Sequence, residues 1–332
     1  MNLIIPMAGR GKRLRPHTLS LPKPLLPVAG QPIVFQLVED LMNLYGTGIE
    51  TIGFVVGDFG TAVEDELRHI AAQFGAQGRI YHQHEALGTA HAIACAAELL
   101  AGPTLIAFAD TLFQTRQPID PEADGTIWVM RVEDPSQYGV VTVDDDGFIR
   151  QLVEKPVDYV SDLAIIGIYH VKQGERLRAH IDHLLAKGIR SKGEYQLTDA
   201  LERLQAEGAR LRPGVVEEWL DCGSAELLLD TNRRRLAQKY PHNFIDPSAR
   251  IEDALVVPPC YIGADVVVSR SVVGPFVALG RGVVVESSVL RNVMARDEAH
   301  ISGQNLEESI VGAHARAELP SRQLNLGDFS AG

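Results

Sequence analysis

Over the first third of the chain, short apolar runs alternate with segments whose apolar residues recur at helical spacing, and this alternation constrains the fold more than any other feature of the sequence. Residues 3 to 8, LIIPMA, read as a buried strand. Ile33, Leu37, Leu41 and Leu44 recur at spacings of four, four and three, which predicts a helix. Thr51 to Val56 reads as a second strand, and Val63, Leu67, Ile70 and Phe74 share one helical face. Arg79 to Gln83 and Thr104 to Ala109 read as further strands around a helix from Gly88 to Leu100. Strands joined by helical crossovers run parallel, with helices over both faces of the sheet. Ligands of such sheets bind beyond the carboxyl ends of the strands. The first of those ends is the loop of residues 9 to 24.

From about residue 126 the pattern changes. TIWVMRV, VVTV and FIRQLVEKP are strand runs, the last two joined through Asp144 to Gly147, whose Asp-Gly ending signals a hairpin. Antiparallel strands are therefore added to the sheet. LAIIGIYHV is another buried strand, helical stretches follow at residues 175 to 187 and 196 to 207, and VVEEWLDCG precedes a closing helix from Ala225 to Gln238. After Tyr240 and Pro241 helical periodicity vanishes. Aliphatic-led units replace it: Ile262-Gly-Ala-Asp, Val273-Gly-Pro-Phe, Leu279-Gly-Arg-Gly, with Val285 six positions beyond Leu279, and later Ile310-Val-Gly. A spacing of six is the hexapeptide signature of a parallel β-helix, in which the aliphatic residue points inward and a small residue takes the corner. Ordinary short strands are the alternative. The expected fold class is α/β, a Rossmann-like doubly wound mixed sheet followed by a C-terminal left-handed parallel β-helix of hexapeptide repeats. Two domains are expected, residues 1–238 and 239–332, with irregular rungs between residues 294 and 309. The flat faces and ends of such a coil predict a homo-oligomer.

Apolar residues make up 45% of the chain and charged residues 22%, and no run approaches the roughly 18 to 20 apolar residues that a membrane span requires. MNLIIPMAGRG has no basic stretch followed by a long apolar one, so a soluble, cytoplasmic protein is expected. Cys95, Cys222 and Cys260 lack metal-ligand spacing and read as reduced thiols. The formal charge of −12 opposes association with nucleic acid or anionic lipid. Against it, Arg10, Lys12, Arg13, Arg15 and Lys23 crowd the first loop, interleaved with Gly9, Gly11, Pro16, Pro22 and Pro24. A local cationic loop on an acidic protein suits a small polyanion, unless it is simply a solvated basic turn. Two generic phosphate motifs fail: Leu14 stands where a dinucleotide fingerprint needs its third glycine, and no G-x-x-x-x-G-K-[ST] is present.

The loop resembles the G-x-G-x-R-L-x-P-x-T and P-K-P signature of the sugar-1-phosphate nucleotidylyltransferases, with its nearest likeness to the glucose-1-phosphate thymidylyltransferase group. Further motifs follow in order: QHEALGTAHA (residues 83 to 92), FAD (108 to 110), YG (138 and 139), EKP (154 to 156) and WLDCG (219 to 223). There are departures. Gly9-Arg10 stands for the usual glycine pair, Lys12 for the usual threonine, and Ala109 for the common glycine.

The resemblance implies transfer of a nucleotidyl group from a nucleoside triphosphate, dTTP favoured over UTP, to a hexose 1-phosphate, with pyrophosphate released. It implies catalytic roles for Arg13 (departing pyrophosphate), Lys23 (charge at the α-phosphate), Asp110 and Asp221. Asp110 ends an apolar strand and Asp221 follows Trp219-Leu220, so both are candidates for one Mg²⁺ site; a helix cap or surface turn is the bland alternative for each. The resemblance further assigns Ala8, Gly9, Gly11, Gln83, Leu87, Gly88 and Thr89 to the nucleotide. Gln83 would offer a donor and an acceptor to a pyrimidine edge. It assigns Tyr138, Gly139, Glu154, Lys155 and Ile165 to the sugar phosphate, the aliphatic Ile165 favouring glucose 1-phosphate over an N-acetylhexosamine. His91, His170, His180 and His183 have no partner motif and read as structural or solvated, and Cys222 as a packing residue. Two other readings stand beside this one. One is a non-catalytic subunit of the same layout that senses nucleotide or sugar phosphate. The other adds acyl transfer in the β-helix, with His300 and His314 as bases.

Overall fold

A computed structural model describes residues 1–9 and 11–318. Two compact units emerge, one of Met1–Leu26 with Pro32–Gly223, the other of Pro27–Gln31 with Ser224–Gly332. Among the described residues no helix is long and apolar enough to cross a membrane.

The first unit is built on a mixed sheet. Its parallel part comprises β1 (Asn2–Pro6), β2 (Thr51–Val56), β3 (Gln77–His82) and β4 (Thr104–Ala107), connected by helices α1 (Ile33–Tyr45), α2 (Thr61–Gln73) and α3 (Thr89–Ala94). The helix expected from Gly88 to Leu100 breaks after Ala94 and resumes as a short 3-10 turn, Ala97–Leu99. β1 lies between β2 and β4, parallel to both. The chain therefore winds outward from β1 in one direction through β2 and β3, then returns to the other side of β1 with β4. That reversal leaves a crevice at the carboxyl ends of β1 and β4.

After β5 (Thr111–Gln114) come β6 (Gly125–Arg131), β7 (Gly139–Val143), β8 (Ile149–Glu154) and β9 (Leu163–Val171). β9 runs antiparallel to β4, β6 and β7, and the Asp144–Gly147 turn closes the antiparallel β7–β8 hairpin. Helices α4 (Gly174–Lys187) and α5 (Leu197–Ala206) pack on each other and bury Leu177, Ile181, Leu184, Leu201 and Leu204 in the apolar core under this part of the sheet. β10 (Leu211–Val215) adds a parallel edge to β6. Finally β11 (Glu218–Asp221) leaves the sheet and pairs antiparallel with β5.

The second unit is a parallel β-helix. Val267 pairs with Val284 and Val284 with His300, so one rung takes 17 residues and the next 16, slightly fewer than three six-residue units. Val268, Val285 and Ile301 stack inward in register and are fully buried, as inward-facing strand positions require. One corner is held by residues of positive φ that stack from rung to rung, Asp253, Arg270, Ser287 and Gly303. Buried hydroxyls bridge the rungs: Ser271 Oγ accepts from Ser288 N, and Ser288 Oγ accepts from Gln304 N, each at 3.0 Å. The stretch expected to be irregular is paired in register, Val289–Ala295 against Asn305–Val311. Helix α6 (Ala225–Lys239), read from sequence as the close of the first domain, packs within this second unit, capped by Ser224 Oγ, which accepts from Leu227 N.

Candidate active site

The strand order brings separate loops to one edge. β1 feeds the loop that starts at Met7, and β4 feeds Phe108-Ala109-Asp110 beside it. Asp110 is followed directly by β5, whose partner β11 sets Asp221 opposite Thr111, while Cys222 N donates to Asp110 O at 3.1 Å. The two aspartates, remote in sequence, are thereby held on neighbouring backbone.

Lys23 Nζ lies 3.0 Å from Asp110 Oδ2, its side chain 10% exposed against 47% for the carboxylate. The lysine stem is buried in the short helix Lys23–Leu25, which fixes the ammonium where it meets the strand edge. Burial, and then the charge of Asp110, push the Asp221 carboxyl above its ordinary range, opposed by Lys23, the Gly223 N–H and Arg13. Burial, with the nearby Asp221 charge, also raises the Tyr138 phenol. A cluster of negative and positive groups converges here, with more carboxylate than the burial favours.

Two cavities open on this edge. One, of about 300 Å³, is lined by Tyr138, Gly139, Glu154, Lys155, Ile165 and Asp221, and the other, of about 750 Å³, by Ala8, Gly9, Gly11, Lys23, Gln83 and Gly88. Arg13, Thr89, Phe108 and Asp110 line both. Of the residues that the resemblance assigns to catalysis, to the nucleotide or to the sugar phosphate, Leu87 alone lines neither cavity; it packs half-buried against the core.

In the smaller cavity, Glu154 Oε2 accepts from Thr198 Oγ1 at 3.3 Å. A Cβ on Gly139 would stand 3.0 Å from the same Oε2 and 3.2 Å from Ile165 Cδ1, so this approach is open to glycine without displacement. Lys155 takes a left-handed backbone, its N–H donates to Tyr138 O, and its carbonyl accepts from Lys192 Nζ at 2.6 Å. The Tyr138 and Trp219 rings meet edge to face at 4.9 Å.

In the larger cavity, Gly88 has φ +118°, and a Cβ there would fall 2.5 Å from Tyr195 O. That closeness lets residues 87 to 90 pair with the segment before α5: Tyr195 N donates to Leu87 O and Ala90 N to Tyr195 O. Thr89 Oγ1 accepts from Leu197 N at 2.9 Å and reaches Gln196 Oε1 at 3.2 Å. Gln83 Nε2 lies 3.2 Å from Gly88 O and 3.1 Å from His91 Nδ1.

The sequence reading missed Phe108, Gln137, Tyr169, Gln196, Thr198 and Trp219, which line the smaller cavity. Thr198 carries no sequence signal of this position, because a hydroxyl at a helix start reads as a cap. None of the four histidines singled out in sequence lines either cavity. His170 is buried and its pKa is pushed down to about 4 by that burial, and His180 faces Glu207 Oε2 at 3.1 Å. Cys222 is fully buried. Among the described residues no group of three or more His, Cys, Asp or Glu is arranged to hold a metal ion.

Residues 3–238 match the nucleotidyl transferase family model. The chain is 29% identical to a glucose-1-phosphate thymidylyltransferase of Streptomyces griseus over 99% of its own length and 98% of the relative's. It is 31% identical to a low-salt glycan biosynthesis nucleotidyltransferase of Haloferax volcanii, over 72% of this chain and 67% of that one. A solved UDP-glucose pyrophosphorylase, complexed with UDP-glucose, shares the fold with a TM-score of 0.58 at 24% identity, over 72% of this chain and 99% of that one. The family match spans both cavities and the strand edge between them, and the chain belongs to the nucleotidyl transferase family.

Proposed function

We propose that this enzyme joins a nucleoside triphosphate, dTTP or UTP, to a hexose 1-phosphate, glucose 1-phosphate favoured, giving a nucleoside diphosphate sugar and pyrophosphate. The observation that carries this reading is the pair of cavities that share Arg13, Thr89, Phe108 and Asp110. Two anions seated on either side of that junction bring a sugar phosphate oxygen towards an α-phosphorus. The reaction then needs alignment and charge neutralisation rather than a protein nucleophile. Arg13, in both linings, suits the departing pyrophosphate as a planar, permanently charged donor. Lys23, in the larger cavity and paired with Asp110, supplies a positive charge beside the junction. Lys155 and Gly139 hold the sugar phosphate, and Glu154, oriented by Thr198, accepts from sugar hydroxyls.

Asp110 and Asp221 fit a divalent cation, Mg²⁺, since both are hard oxygen donors and the charge of one raises the pKa of the other, a strain that a cation relieves. When bound, the ion would supply charge neutralisation at the phosphates. Ile165, buried at the floor of the smaller cavity, leaves an acetamido group no hydrogen-bonding partner at that position and favours the plain hexose. We read the first unit as the catalytic domain and the β-helix of the second, described to Glu318, as an element of self-association; residues 319–332 of the expected second domain lie outside the described residues. The test is a pyrophosphate-release assay over a matrix of nucleoside triphosphates and hexose 1-phosphates, with Mg²⁺ present or chelated. Release with dTTP or UTP and glucose 1-phosphate is expected, and its absence for every pair would overturn the reading.

A further inference from the structure

The ion pair between Lys23 and Asp110 joins the cationic loop to the strand edge, and its two ends differ in freedom. Lys23 is anchored at its backbone. It opens the short helix Lys23–Leu25, where Leu26 N donates to Lys23 O at 3.0 Å, and a Cβ on Gly11 would stand 3.0 Å from Lys23 Cβ. The base of the side chain is thus wedged against the loop, and the ammonium swings from a fixed root. With the side chain 10% exposed, water cannot stand in for the carboxylate, and an ammonium shut off from water needs an anion beside it.

Asp110 is placed differently. Its side chain is 47% exposed and lines both cavities, so a divalent cation can reach it. Among the described residues no third His, Cys, Asp or Glu joins Asp110 and Asp221 in an arrangement that holds a metal ion. Two carboxylates fill part of a Mg²⁺ shell, and water and phosphate oxygens fill the rest. A cation that arrives alone draws Asp110 away from Lys23 and strands a buried ammonium. A cation that arrives with a triphosphate brings the anion that the ammonium then needs.

We infer that Lys23 is a built-in counter-ion to Asp110, exchanged for a divalent cation when a triphosphate arrives to take the ammonium. Cation and nucleotide then bind with positive coupling, each raising the affinity for the other by the same factor. The exchange also frees Lys23 towards the phosphates as the cation is seated, so one ion pair times two events. This inference rests on the reading of Asp110 and Asp221 as the metal pair and of the larger cavity as the nucleotide site.

The first experiment titrates the protein with Mn²⁺ alone and reads the free ion by electron paramagnetic resonance. Wild-type protein should bind weakly, and Lys23→Met, which keeps an unbranched stem without the charge, about tenfold more tightly. Arg13→Met removes a cation from the same junction but leaves the pair with Asp110, and its affinity should stay within about threefold of wild type. Equal affinities in wild type and Lys23→Met, or an equal gain in the two variants, would overturn the proposal. The second experiment uses wild-type protein and so does not depend on how a variant folds. In a ¹⁵N spectrum of the lysine ammonium groups, the Lys23 signal, assigned by its loss in Lys23→Arg, should stay in place with subsaturating Mg²⁺ and shift when UTP or dTTP is added at the same Mg²⁺ concentration. A shift with Mg²⁺ alone, or none with either nucleotide, would also overturn it. Pyrophosphate release with equal Mn²⁺ affinities would remove the exchange and leave the reaction standing, and exchange without pyrophosphate release would do the reverse.

Discussion

Asp221 stands opposite Thr111 in an antiparallel ribbon, one residue from Asp110, and the charge of Asp110 helps to raise its pKa. Two partly buried carboxylates that repel each other are a cost to the fold that a cation would relieve. Asp221→Asn should lower turnover by at least about 100-fold, the scale on which a single charged group at a reacting phosphate acts. It should also raise the melting temperature by about 1–3 °C, because the substitution removes a charge that burial disfavours. Steady-state kinetics and calorimetric melting on the same preparation check both; a destabilised variant would contradict the argument.

The same shift fixes the direction of two pH dependences. A carboxyl whose folded pKa lies above its ordinary 3.8 stays protonated to higher pH in the native state than in the unfolded chain. The native state therefore binds more protons within that window, and this group's contribution to stability falls as pH rises through it. Turnover that needs Asp221 ionised does the reverse and is lost as pH falls, with an acidic limb that moves to lower pH as Mg²⁺ saturates the carboxylates. In Asp221→Asn the corresponding slope of melting temperature against pH should disappear.

Gly88 tolerates no side chain. Its φ is +118°, and a Cβ would meet the Tyr195 carbonyl oxygen at 2.5 Å and the Tyr195 nitrogen at 2.7 Å, both backbone atoms. Gly88→Ala should separate residues 87 to 90 from residues 195 to 197 and cost about 2 kcal/mol or more. The predicted kinetic signature is a higher KM for the nucleoside triphosphate. Denaturant titration gives the first quantity and initial rates the second.

Asn232 tests the second unit by itself. Its side chain is fully buried, and Oδ1 accepts from Ala29 N at 2.8 Å, tying the short Pro27–Gln31 segment to helix α6. Asn232→Ala leaves that buried N–H without this acceptor and should cost about 1–3 kcal/mol. Urea unfolding monitors the loss, and Asn232→Asp, which keeps an acceptor, should recover part of it.

Much of this architecture is legible in the sequence, because period and punctuation are local properties. The 3.6-residue recurrence of Ile33, Leu37, Leu41 and Leu44 sits on α1, the Asp-Gly turn sits in the β7–β8 hairpin, and the aliphatic-glycine units fall on β-helix rungs. The cationic loop between β1 and α1 is equally local, and its Lys23 and Arg13 both line the cavities. Contacts across the chain are not local. Nothing in WLDCG states that its strand leaves the main sheet for β5, and it is this pairing that sets Asp221 beside Asp110. Thr198 looks like a helix start until the fold turns its hydroxyl to Glu154, and nothing in the sequence sets the Gln83 amide nitrogen 3.2 Å from Gly88 O and 3.1 Å from His91 Nδ1. The sequence by itself determined where most strands and helices fall, where the coil rungs begin and which loop carries the charge, but not that the helix expected from Gly88 to Leu100 breaks after Ala94. Only the tertiary structure decided which side chains face one another, because hydrogen bonds and Coulomb interactions depend on distances of a few ångströms that strand order and register set.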